Sequence, residues 1–76
     1  MTWIIRDIPL GKNIKSIRKS KHLTQKDVTT KLQLMGSYMS EDTLSNIETG
    51  RRNIKASDLK ALKIIFDVGY EEFFKG

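Results

Sequence analysis

Between Ser40 and Gly50 the chain places the hydrogen-bonding side chains Glu41, Asp42, Ser45, Asn46 and Thr49 around the apolar Leu44 and Ile47. At about 100° per residue, Leu44 and Ile47 point one way on a helix and Asp42, Ser45, Asn46 and Thr49 point more or less the opposite way, with Glu41 at the flank. Gly50 follows, and then Arg51, Arg52 and Asn53. Carboxylates and a carboxamide on a helix face exchange hydrogen bonds with a patterned surface, and cations beside them hold anionic groups, so the chemistry of this set is recognition. Catalysis has no comparable support. No nucleophile is paired with a base and no Gly-rich phosphate loop is present. His22 is the only histidine and cysteine is absent, so neither a metal site nor a cofactor is expected.

Those side chains need elements to hold them. Leu10, Ile14 and Ile17 recur at helical spacing among Lys12, Lys15, Arg18, Lys19 and Lys21, which predicts an amphipathic helix 1 with a strongly basic outer face. Thr24 is an N-cap, with Asp27 three residues later as in a capping box, so helix 2 begins there. Val28 and Leu32 face the core, the periodicity runs on to Met35, and Gly36 supplies the stop. Ser37, Tyr38 and Met39 connect. Ser40 caps helix 3, which runs to about Thr49 and has Glu41 and Asp42 in the first turn, where the helix dipole favours negative charge. Gly50 takes positive φ to end it, and the basic loop follows. A fourth helix is expected from about Lys55 or Ser57 to Phe66, with Leu59, Leu62, Ile65 and Phe66 buried. A last short helix over Tyr70 to Phe74 would close the bundle with Phe73 and Phe74. Residues 1–9 read as an extended arm, because Pro9 biases Ile8 away from helix.

With 76 residues there is room for one domain, residues 10–76 behind the arm, and a compact all-α bundle suits one proline and 38% hydrophobic residues. No apolar run approaches the roughly 20 residues that span a bilayer, and the start lacks a signal-peptide pattern, so a cytoplasmic protein is expected. The net charge of +5 suggests an acidic partner, nucleic acid first. Its distribution is uneven. Residues 1–31 are net +6 and residues 51–63 net +4, whereas residues 32–50 are net −3 and residues 64–76 net −2. The helix proposed to read a partner is itself acidic.

From Leu10 to Phe74 the chain resembles the Cro and lambda-repressor-like (XRE-type) helix-turn-helix family. The resemblance rests on Gly11, Ile14, Ile17 and Arg18, on Leu23-Thr24-Gln25 and Val28, on Leu44-Ser45-Asn46-Ile47-Glu48 with Gly50-Arg51-Arg52-Asn53, and on Leu59, Phe66, Val68 and Phe73. It implies a five-helix bundle in which helices 2 and 3 form the DNA-binding unit. Three features depart from the family pattern: Thr29 for a small alanine and Ile54 for a proline, a turn longer than the usual three or four residues, and the Glu41-Asp42 pair.

If helix 3 enters the major groove as the resemblance implies, Glu41, Asp42 and Asn46 occupy the base-reading positions, where Asn pairs with adenine and a carboxylate accepts from the cytosine amino group. The two acids serve equally well as dipole complements. By the same resemblance, Gln25, Ser40, Thr49, Arg51, Arg52 and Asn53 meet phosphates, assisted by Lys55, while Thr24 and Ser40 also have capping to do. Arg18 and Glu48 match positions that form an internal ion pair. The reading that follows is a sequence-specific regulator of double-stranded DNA, a repressor acting as a homodimer on an inverted repeat. Trp3, Ile4, Ile5 and Tyr38 read mostly as core or bundle cap; if exposed in the monomer they form the dimer patch, with Gly69 to Phe74 as the competing candidate. The alternative is a protein-interaction module of the same fold, an antitoxin half or an adaptor, that turns the acidic helix 3 to a protein.

Overall fold

A computed structural model describes residues 9–76, so the arm and its Trp3, Ile4 and Ile5 lie outside the described residues. Four α-helices follow one another: α1 (Leu10–Ser20), α2 (Gln25–Leu34), α3 (Glu41–Glu48) and α4 (Ala56–Phe66), then a single 3-10 turn, Tyr70–Glu72. No strand occurs among the described residues. The bundle is therefore all-helical, and the fifth helix expected over Tyr70 to Phe74 is corrected to that turn. Phe73 is fully buried, stacked on Phe66 with ring centroids 6.2 Å apart, but Phe74 remains 40% exposed. One aromatic closes the bundle, and Phe74 stays at its edge.

Each helix contributes one stripe to a common core: Leu10, Ile14 and Ile17; Val28 and Leu32; Leu44 and Ile47; Ala61, Leu62 and Phe66. In α4 the stripe is shifted from the expected one, since Ala61 is buried while Leu59 and Ile65 are only half-buried. α1 packs on α3, α2 on α4, and α2 on α3. Gly11 makes the first of these contacts possible, because a Cβ there would collide with the carbonyl oxygen of Ile47. Asn13 fastens the C-terminal turn to α1, its Nδ2 donating to the carbonyls of Phe73 and Lys75, both at 2.8 Å.

The helix ends follow from local chemistry. Thr24 and Asp27 form a full capping box, Asp27 N–H to Thr24 Oγ1 at 3.0 Å and Thr24 N–H to Asp27 Oδ2 at 2.8 Å. Ser40 Oγ accepts the Thr43 N–H at 3.1 Å and starts α3. Gly36 (φ +89°) and Gly50 (φ +82°) end α2 and α3 in the left-handed region, where an L side chain is strained. The turn between α2 and α3 is longer than three or four residues, as expected: α2 runs to Leu34, and Met35–Ser40 then connect it to α3.

Candidate nucleic-acid interface

α3 is held by a buried polar network rather than by apolar packing alone. Arg18 on α1 grips Glu48 with two guanidinium bonds, Nε to Oε2 at 2.7 Å and an Nη to Oε1 at 3.1 Å, and a third donates to the carbonyl of Leu23 at 2.8 Å. Gln25, the first residue of α2, adds Nε2 to Glu48 Oε1 at 3.1 Å. One carboxylate thus ties α1, α2 and α3 together, and among the described residues no buried side-chain polar atom is left without a partner. The acidity of the middle segment is lowered by the same contact. Of its three acids, Glu48 is buried against Arg18, and only Glu41 and Asp42 face solvent.

The outer face of α3 is uncovered at Glu41, Asp42 and Thr49, and half-covered at Ser45 and Asn46. Glu41 and Asp42 make no ion pair among the described residues, so both carboxylates stand at the positive end of the helix dipole with their acceptor capacity open. Asn46 is less exposed than its position on the wheel suggests. The basic loop folds back onto it, the N–H groups of Arg51 and Arg52 donating to its carbonyl at 2.9 and 3.2 Å.

The remaining expected contacts are distributed around this helix. Gln25 stands at the Glu48 end of α3 and Ser40 at the other, separated by eight residues, or roughly 12 Å of helix. Gln25 spends one amide proton on Glu48, and its second has no partner among the described residues. Ser40 donates to Thr43 Oγ1 at 3.0 Å, a bond that reverses direction if Ser40 is to donate outward. The Thr49 hydroxyl donates within its own helix, 3.1 Å from the Ser45 carbonyl and 3.2 Å from that of Asn46, so a phosphate would compete for its single proton. Arg51, Arg52, Asn53 and Lys55 are exposed. Lys12, Lys15 and Lys19 are exposed along one side of α1.

The sequence reading did not foresee Thr43 as the partner of Ser40, nor Asn13 as the clasp of the C-terminal turn. A mid-helix Asn on a basic surface was the available signal for the latter. Among the described residues there is no cluster of potential metal ligands and no helix long and apolar enough to cross a membrane.

The arrangement presents a short helix with an open polar face, capped by the Ser40 hydroxyl and followed by the cations Arg51 and Arg52. A family model described as helix-turn-helix matches residues 14–73. No curated protein and no solved structure matches the chain.

Proposed function

The chain belongs to the helix-turn-helix family in its Cro and lambda-repressor-like (XRE) form, a family of DNA-binding regulators, and from this premise we propose that it represses transcription by binding an inverted-repeat operator as a homodimer. The observation that carries the proposal is α3 itself. Its apolar side is locked into the core by Leu44 and Ile47, its register is set by Glu48, and its polar side is left open next to the Arg51–Arg52 loop. Asn46 is assigned the role of base reader, suited to adenine, and Glu41 and Asp42 suit cytosine amino groups. Gln25, Ser40, Thr49, Arg51, Arg52 and Asn53 are assigned to phosphates. The two-fold partner is proposed because a single small domain reads one half-site.

The open Glu41-Asp42 pair favours a second reading, in which the same face binds a basic protein surface. Salt separates the two. DNA binding through phosphates weakens by roughly 0.9 log units per log unit of salt for each phosphate contacted. Asn46→Ala is expected to cost about 1–3 kcal/mol on a duplex selected from random sequence and little on a scrambled one, while Arg51→Ala weakens both alike. Flat salt dependence and equal affinity for all duplexes would sink the repressor reading and leave the protein partner.

A further inference from the structure

The α2–α3 connection is longer than a three- or four-residue turn, yet it is anchored on both sides of one residue. Ser37 Oγ donates to Asp58 Oδ1 on α4 at 2.7 Å, and Met39 packs against the core. Tyr38 lies between them and is 80% exposed. An anchored aromatic held in water calls for a reason. Tyr38 forms one wall of a groove of about 410 Å³ that runs beside α3, from Thr43 in its first turn to Ile47 near its end. Arg52 and Lys55, both exposed, also line it. Asp58 is the single acid on the walls, and its Oδ1 is occupied by Ser37. Glu41 and Asp42, although on the same helix, do not line the groove.

We infer that this groove is the track of one DNA strand, whose sugar–phosphate backbone lies along the flank of α3 with the Tyr38 hydroxyl donating to a phosphate at one end and Arg52 and Lys55 neutralising phosphates at the other. The inference rests on the proposed DNA binding and adds a contact that the helix-turn-helix pattern does not supply. A groove with two cations against one engaged acid is complementary to a polyanion, and Met35, which also lines it and is 45% exposed, suits the apolar face of a deoxyribose. The long turn then has a function: it carries a donor past the end of α3. It also offsets the acids of α3, because the strand is held on a wall they do not share.

Tyr38→Phe and Arg52→Gln separate the parts of the claim, each titrated by fluorescence anisotropy at several salt concentrations. The probes are a duplex selected from random sequence by the wild-type protein and a scrambled duplex of equal length. Tyr38→Phe is expected to weaken both duplexes about tenfold, the lower end for a hydrogen bond to a charged group, with the salt slope unchanged because a phenol releases no counterion. Arg52→Gln is expected to lower the slope by about 0.9. Tyr38 is surface-exposed, so the melting temperature of Tyr38→Phe should match wild type and report any misfolding. Wild-type affinity of Tyr38→Phe for both duplexes overturns the inference. A loss confined to the selected duplex also overturns it, since Tyr38 would then read a base. So does a change in self-association without a change in duplex affinity, which would assign the patch to a protein. A wild-type protein that binds neither duplex fails the functional proposal itself, and this inference with it.

Discussion

The Glu48 carboxylate is the residue on which the binding unit turns, because it receives Arg18 from α1 and Gln25 from α2 while sitting at the end of α3. Removing one partner of a buried pair leaves the other charge uncompensated, so Arg18→Met is expected to destabilise the fold by about 3–5 kcal/mol in urea denaturation. Replacing both partners with apolar residues of similar volume, Arg18→Met with Glu48→Leu, should recover much of that loss. A double variant as unstable as the single one would show that the pair contributes more than mutual neutralisation. Gly11 makes a second residue-scale case. Gly11→Ala drives a methyl into the Ile47 backbone carbonyl and should cost about 1–3 kcal/mol, an overpacking effect. Gly69→Ala meets only the end of the flexible Glu71 side chain and should change the melting temperature little.

The helices share one way of stopping. In each of α1, α2, α3 and α4 a backbone N–H just past the end reaches back across the last turn: Leu23 to Arg18, Ser37 to Leu32, Arg51 to Asn46 and Val68 to Lys63, at 3.2, 2.9, 2.9 and 3.4 Å. The left-handed residue this closure needs is Gly36 in α2 and Gly50 in α3, but His22 (φ 59°) in α1 and Asp67 (φ 54°) in α4. The two helices of the proposed DNA-binding unit therefore end without strain. Gly50→Ala should cost about 1–2 kcal/mol, the penalty of a left-handed L residue, and would loosen the cations that follow it. The start of α2 carries a pH dependence. The Asp27 carboxyl is held below its ordinary value, first by the Thr24 backbone N–H and then by the Thr24 hydroxyl and nearby lysines. Its folded pKa being depressed, its stabilising effect is complete above the unfolded value of about 3.9 and is lost as pH falls through the lower folded value. The melting-temperature gap between wild type and Asp27→Ala should therefore be constant from neutral pH down to about 5 and close below about 4.

At the scale of the molecule, a core of this size leaves little reserve, and Leu44 is where stability and binding meet. Leu44→Ala removes a fully buried side chain from the inner face of α3 and should cost about 2–5 kcal/mol in thermal unfolding. DNA should in turn raise the melting temperature of the wild type, as any ligand of the native state does. An unchanged melting temperature in Leu44→Ala would mean that α3 is seated on another face. Charge also acts at this scale. With the acid of Glu48 neutralised internally, the positive residues 1–31 and 51–63 flank a binding helix whose open acids are confined to its first turn.

Local interactions were legible in the sequence by itself. The periodicity of Ile14 and Ile17, of Val28 and Leu32, and of Leu44 and Ile47, the caps Thr24 and Ser40, and the stops Gly36 and Gly50 all act within one or two helical turns, so residue spacing specifies them. The residues proposed to bind lie on α2 and α3, at the α3 caps and in the loop that follows; the sequence placed them on those elements, and their binding roles are a proposal. What only the tertiary structure decided depends on residues far apart in the chain. Asn13 finds the carbonyl of Phe73 sixty positions away, and Gln25 is drawn to Glu48. His22 and Asp67, where no glycine is available, take the left-handed angles that close α1 and α4, and the C-terminal segment is a single turn with only Phe73 of its two phenylalanines buried. Tyr38 faces out because its two neighbours are pinned by α4 and the core, and no pattern in Gly36-Ser37-Tyr38-Met39 encodes what those partners will be.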